Sequence, residues 1–255
     1  MKIITYNVNG IRAAARKGFY EWLALQNADV VCLQEVRADE SVLAAELFQP
    51  EGYHCYYKTA EKKGYSGVGI YSKIKPDQII CELGFAGCDD EGRYIQIDLG
   101  NLSIASLYLP SGSSGDLRQQ KKYDFLDQYL DALKQQMASG RDYIITGDFN
   151  IVHKEIDIKN WKANQKSSGV LPEERAWLDT IFDDVGFVDA FRQVNQEAEQ
   201  YTWWSNRGRA RENNVGWRID YQITTPGLKD KIKSAMVYKD EWYSDHAPLI
   251  MEYDL

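Results

Sequence analysis

The chain lacks most of what marks a secreted, membrane-bound or zinc-built protein. Its four cysteines, Cys32, Cys55, Cys81 and Cys88, form no Cys-x-x-Cys pair and show no zinc-like spacing with the three histidines. Cys32 and Cys81 lie in apolar runs and are expected as buried thiols. No apolar run approaches the roughly 20 residues that a membrane helix needs. Met1-Lys2 leads straight into a strand-like run, so no secretory leader is expected. These absences predict a reducing, cytoplasmic setting without a membrane partner. Long Pro, Gly or Ser tracts are missing too, and Ser111-Gly112-Ser113-Ser114-Gly115 is too short for a linker. One catalytic domain over residues 1–255 is expected. Neither Gly-x-Ser-x-Gly nor Gly-x-x-x-x-Gly-Lys-Ser/Thr occurs, which argues against a serine hydrolase and a P-loop nucleotidase. Positive charge is scarce: 30 Lys and Arg against 38 Asp and Glu leave a net of −8. That excludes a basic coat protein for nucleic acid, though not an enzyme with a local basic face.

What is present is a sizeable core, with 44% hydrophobic residues. Strand-like runs fall near 2–6, 29–34, 53–57, 67–72, 78–83, 93–98, 102–109, 143–147, 218–224, 233–238 and 247–253. Helical patterns fall near 18–27, 40–48, 116–138 and 173–185, and in the third Leu117, Tyr123, Phe125, Leu126, Tyr129, Leu130 and Leu133 suggest one apolar face. Strands outnumber helices, so this is no simple βαβ repeat. The class expected is α/β: two mixed or mainly antiparallel sheets packed together and flanked by helices. Ile3-Ile4-Thr5 before Asn7 and Ile144-Ile145-Thr146 before Asp148 hint at two related halves.

Four apolar runs lead into or out of polar clusters: Asn7, Glu35, Asp148 with Asn150, and Asp245 with His246. Gly-Asp and Ser-Asp are ordinary turn signals, and each string alone reads as a turn. Four together at strand ends suggest one site, because ligands and catalytic groups gather there. Carboxylates with an amide and an imidazole suit a hard cation such as Mg²⁺ and a proton-handling His.

A second feature is aromatic and basic. Residues 201–218 hold Trp203, Trp204 and Trp217, with Arg207, Arg209, Arg211 and Arg218 against Glu212, a net of +3. Residues 153–168 carry four lysines against Glu155 and Asp157, a net of +2. Solvated loops and core tryptophans are the plain reading. Stacking rings beside phosphate-holding arginines are the functional one. Asp220 follows, with two possible partners, His246 or Arg218.

Taken in order, seven strings closely resemble the exonuclease III family of apurinic/apyrimidinic (AP) endonucleases. They are Tyr6-Asn7-Val8-Asn9-Gly10-Ile11-Arg12, Leu33-Gln34-Glu35, Gly64-Tyr65-Ser66-Gly67-Val68-Gly69, Tyr108-Leu109-Pro110, Gly147-Asp148-Phe149-Asn150, Asn214-Val215-Gly216-Trp217-Arg218-Ile219-Asp220-Tyr221 and Ser244-Asp245-His246. The resemblance implies a four-layer α/β sandwich. It implies a monomeric Mg²⁺-dependent hydrolase, with Mn²⁺ as a substitute, that cuts duplex DNA 5′ to abasic sites in base excision repair. Clean-up of blocked 3′ ends and some 3′→5′ exonuclease action are implied as well. By the same resemblance Glu35 is the main metal ligand, with Asn7, Asp148, Asn150 and Asp245 beside it. Asp148 and Asn150 would handle the attacking water, and His246, held by Asp220, would contact the phosphate with Tyr108. Trp203, Trp217 and Ile219 would wall the pocket for the extruded sugar, Arg12 and Tyr65 would grip the backbone, and Arg207 falls near a position where some relatives insert an apolar side chain into DNA.

Asn9 stands where some relatives carry Asp, and Ser111 and Ser114 where some carry Asn and Arg. A phosphoesterase acting on inositol phosphates or sphingomyelin would keep Glu35, Asp148 and His246 but would not need the 201–218 segment. A non-catalytic nucleic-acid binder is disfavoured, because uncompensated carboxylates repel phosphate.

Overall fold

The computed structural model describes all 255 residues. Its strands, in chain order, are β1 Lys2–Asn7, β2 Val30–Gln34, β3 His54–Lys58, β4 Val68–Ser72, β5 Gln78–Ile80, β6 Tyr94–Leu99 and β7 Leu102–Tyr108. There follow β8 Asp142–Asp148, β9 Val188–Asp189, β10 Trp203–Trp204, β11 Gly216–Trp217, β12 Asp220–Thr224, β13 Ile232–Val237 and β14 Leu249–Tyr253. Two six-stranded sheets result, ordered β13-β14-β1-β2-β4-β3 and β5-β6-β7-β8-β12-β9, with β10-β11 as a separate ribbon. Each sheet contains one parallel pair, β1/β2 or β7/β8, and is otherwise antiparallel. A parallel pair needs a crossover. Helices Ile11–Arg16 and Phe19–Gln26 supply the first and helix Asp116–Ala138 the second.

Adjacent apolar residues on a strand face opposite sides. Ile3, Val30 and Ile144 therefore enter the layer between the sheets, while Ile4, Val31 and Ile145 face the helices. Phe19, Trp22 and Leu23 cover the first sheet, and Phe125, Leu126, Tyr129, Leu133 and Trp177 cover the second. Helix, sheet, sheet and helix make the expected four layers. Fully burying one such side chain is worth roughly 1.5–3 kcal/mol. No helix is long and apolar enough to cross a membrane.

Several expectations need correction. Leu117 is 86% exposed, because it lies in the first turn of its helix, beyond the sheet. The pattern at 40–48 forms a short helix Glu40–Leu43 capped by Asp39, then a 3-10 turn Glu46–Phe48. That at 173–185 splits into helix Pro172–Asp179 and a π turn Thr180–Val185 that closes on Gly186. Cys81 is only half-buried, at the end of the edge strand β5. The repeat hinted at by Ile-Ile-Thr pairs the wrong strands. Connectivity makes β1 the counterpart of β7, and β2 that of β8.

Candidate active site

Register assembles the site. Across β7, β8 and β12, Tyr108 pairs with Asp148, and Asp148 with Asp220. Across β1 and β2, Asn7 pairs with Gln34, and Glu35 follows. Packing the sheets brings these two rows together. Within the second sheet Gly147 lets β8 run close to β7: a Cβ there would lie 1.9 Å from the Leu107 carbonyl oxygen. The third contributor is the turn before β14, which bridges from His246 to Trp203 of β10.

The Asn7 amide nitrogen donates to Glu35 Oε1 at 3.0 Å and to Asp148 Oδ2 at 2.9 Å. Its oxygen accepts from the Asn9 backbone N–H at 3.0 Å. Asn7 thus bridges two buried carboxylates, one from each sheet. The second oxygen of Glu35 pairs with the Arg37 guanidinium. Asp148 Oδ1 accepts the Asn150 backbone N–H at 2.8 Å, and the Asn150 side-chain amide donates to Leu109 O at 2.9 Å.

His246 Nδ1 lies 2.9 Å from Asp220 Oδ2, and Nε2 lies 3.8 Å from Asp148 Oδ2. Asp220 does not bond Arg218. Arg218 is buried between Asp157 at 2.7 Å and Asp189 at 2.6 Å, so it is no phosphate-holding arginine. Burial disfavours charge on His246. The Asp220 carboxylate and its hydrogen bond, then Asp148, outweigh that and raise the imidazole to about 10. Burial raises Asp148 to about 7, where His246 opposes the rise and Asp220 and Glu35 add to it. Burial foremost, then Glu35, keeps the Tyr108 hydroxyl protonated. Asp245 stays ionised. Burial would raise it, but His246 and the bonds from Asn9, Trp203 and Ser244 prevail. Those bonds measure 2.8, 3.2 and 3.1 Å. The Asn9 substitution thus gives Asp245 a donor where a carboxylate would repel it.

A cavity of about 290 Å³ opens over this centre. Its lining includes Glu35, Tyr108, Asp148, Asn150, Asp245 and His246 together with Trp203, Trp217 and Ile219. The two tryptophan rings meet edge to face at 5.3 Å, because β10 and β11 pair Trp203 with Trp217. Arg12 and Arg207 are exposed and do not line the cavity. Tyr65 stands beside it, its hydroxyl engaged by Arg93 at 2.9 Å, Arg118 at 3.1 Å and Glu91 at 3.2 Å. Sequence reading missed Arg37, Ser113 and Ser168 in the lining, and Arg93 stacked 4.7 Å from the Tyr108 ring. Arg37, two residues after Glu35, is the one whose spacing was a visible signal.

Ligand atoms of Glu35, Asp148 and His246 lie within 4.8 Å of one another. Mg²⁺ takes oxygen ligands, and the two carboxylates fit it: both are buried, face each other and lack a buried cationic partner other than His246. The imidazole, with Nδ1 committed to Asp220, fits a proton-holding role instead.

Two packed six-stranded sheets ending together on acids and an imidazole define a hydrolase of the four-layer α/β-sandwich class. The chain belongs to the endonuclease/exonuclease/phosphatase family, whose profile matches residues 4–246, and within it to the exonuclease III and AP endonuclease branch. It is 39% identical to an exodeoxyribonuclease of Bacillus subtilis, over 98% of both chains. It is 36% identical to a DNA-(apurinic or apyrimidinic site) endonuclease of Dictyostelium discoideum, covering all of this chain and 71% of that one. A 3′-5′ exonuclease from Neisseria meningitidis superposes with a TM-score of 0.92 at 27% identity, over the whole of both chains.

Proposed function

We propose that this enzyme is a Mg²⁺-dependent DNA repair nuclease that hydrolyses the phosphodiester 5′ to abasic sites in duplex DNA. It also clears blocked 3′ ends and has some 3′→5′ exonuclease action. One observation carries the reading: a single cavity joins the buried Asp148–His246–Tyr108 group to a wall of Trp203, Trp217 and Ile219. A sugar without its base loses no pairing on extrusion, and a tight aromatic wall excludes intact nucleotides.

In this reading Asp148, a buried carboxylate beside His246, holds the attacking water and takes its proton. Asn150 fixes Asp148 through its backbone N–H and flanks the water. His246, protonated and held by Asp220, donates from Nε2 to a phosphoryl oxygen. The Tyr108 hydroxyl donates to the same group. Glu35 and Asp148, with Asp245 and Asn150 at the rim, would hold the Mg²⁺ (or Mn²⁺), which supplies positive charge for the phosphoryl oxygens and the departing 3′ oxygen. Arg12, Tyr65 and Arg207 lie outside the cavity and would meet the flanking duplex.

Initial rates with Mg²⁺ on duplexes bearing an abasic analogue, a 3′-phosphate or a plain recessed end test this. The abasic duplex should be cut fastest, on its 5′ side. Turnover of sphingomyelin or an inositol phosphate with none on DNA would overturn the reading.

A further inference from the structure

Beneath the cavity lies an ion pair that the chemistry above does not use. Lys122, on the long helix Asp116–Ala138, and Glu174, in the first turn of helix Pro172–Asp179, have side chains that are both 0% exposed. Lys122 Nζ lies 2.6 Å from Glu174 Oε1 and donates to the Asn150 carbonyl oxygen at 2.8 Å. Glu174 Oε2 accepts the backbone N–H of Gly169 at 2.6 Å and of Leu171 at 3.1 Å. Gln119 adds a bond to Oε1 at 3.0 Å.

Gly169 sits at φ +92°, and a Cβ there would lie 3.0 Å from both Asn150 O and the Trp217 ring. The glycine is thus the seat of Trp217 and the neighbour of Asn150 at once. Its carbonyl also accepts the Val152 N–H at 2.7 Å, which ties the 150–152 segment to the 169–171 segment.

Burying two charges costs several kcal/mol per ion, and an apolar pair of similar volume is often as stable or more so. Stability alone does not call for Lys122 and Glu174. Five directed bonds do: to Asn150, to Gly169, to Leu171, to Gln119 and to each other. We propose that this pair is a positioning device. Lys122 sets Asn150 against Asp148 and so governs rate, while Glu174 sets the Gly169 seat of Trp217 and so governs preference for abasic sites. The second half rests on the substrate reading above; the first does not.

Two double variants of the full-length enzyme separate these roles. K122M/E174Q removes the charges and the bond to Asn150 but keeps an acceptor for Gly169. It should melt close to wild type by circular dichroism and lose about 10²-fold in kcat, the scale set by misplacing a group by about 1 Å. KM and the abasic-over-intact ratio should stay near wild type. K122M/E174L also frees Gly169, and its abasic ratio should collapse toward that of a tryptophan-less pocket. A folded K122M/E174Q with wild-type kcat, or the same abasic ratio in both variants, would overturn the proposal. If neither folds, Gly169→Ala presses on the same two neighbours, and unchanged rate and ratio in that variant would overturn it equally. A wild-type enzyme that trims recessed ends but leaves abasic duplexes intact refutes the substrate reading alone. The rate effect of Lys122 is then judged on the recessed end.

Discussion

Replacing Asp220 with Asn probes the most polarised contact in the centre. The His246 imidazole is lifted from its ordinary 6.5 to about 10. Burial opposes the imidazolium charge, and Asp220 leads the groups that favour it. Asparagine keeps the shape and removes the charge. Losing an opposite charge in direct contact shifts a pKa by about 1–3 units, so His246 in D220N should titrate between about 7 and 9. The sign follows from the raised value. A histidine keeps its proton below its pKa and surrenders it as pH climbs through it. Steps needing imidazolium should therefore persist to about pH 10 in wild type. In D220N they should fade from about pH 7–9 upward, so kcat should drop by at most about fourfold at pH 7.5 and by a further tenfold or so per pH unit above the lowered pKa. Only three histidines are present, His54, His153 and His246, so imidazole NMR titration of the metal-free protein can follow each one, alongside kcat against pH. An unmoved His246 titration in a folded D220N would refute the reasoning, because charge on Asp220 would then not hold the proton. D220N and His246→Ala should also be non-additive, the double variant being little worse than His246→Ala alone.

Glu35→Gln should weaken Mg²⁺ binding in calorimetry and cut turnover by about 10²-fold or more without lowering Tm; unchanged Mg²⁺ dependence would remove Glu35 from the metal site. Trp217→Ala should lose much of the preference for abasic over intact duplex, measured as a ratio of kcat/KM values. Arg12→Ala, exposed and outside the cavity, should weaken every duplex alike and reduce the salt slope by about one contact. Asp157 governs acid stability. Burial would raise its pKa, but Arg218 and then Arg192 pull it down to about 2. Its stabilisation is complete above the unfolded value of about 3.9 and is lost as pH falls through about 2. That amounts to ~2.5 kcal/mol. Denaturant melts between pH 5 and 2 should show this loss in wild type and not in Asp157→Asn.

The strands and the residues at their ends were legible because both are local. Alternating apolar residues set each strand, and the polar residue that ends it is next in sequence, as with Asn7, Glu35 and Asp148. Partnership was not legible. Asp220 had two candidate partners, and only packing shows that Arg218 turns away to Asp157 and Asp189, 61 and 29 residues distant. Counting Arg218 and Asp157 as loop charge misjudged both segments, since the two neutralise each other in the interior. The ribbon of β10 and β11 has two residues in each strand, too few for any periodicity. It nonetheless fixes the relation of Trp203 to Trp217. Lys122 and Glu174 lie within the helical patterns at 116–138 and 173–185, and nothing near them in sequence announces a buried pair.

Backbone strain shows where folding and chemistry make different demands. Asn9, Glu35 and Asn150 all adopt left-handed φ values, of 45°, 50° and 51°. Each lies one or two residues beyond the end of β1, β2 or β8. A left-handed residue without glycine's freedom costs of order 1–3 kcal/mol, and glycine would be the cheaper choice at all three places. A strand alone points successive side chains to opposite faces, about 3.3 Å apart along the chain, and cannot bring two of them onto one point. A sharp left-handed turn just past the strand swings the next side chain back over the sheet end. Glu35 thereby meets the Asn7 amide, the Asn150 side-chain amide donates to Asp148 Oδ2 at 3.3 Å, and Asn9 reaches Asp245. Glycine would relieve the backbone but carry none of these groups. The strain therefore falls on residues whose side chains complete the centre, while the core layers on either side of each sheet supply the stability that tolerates it.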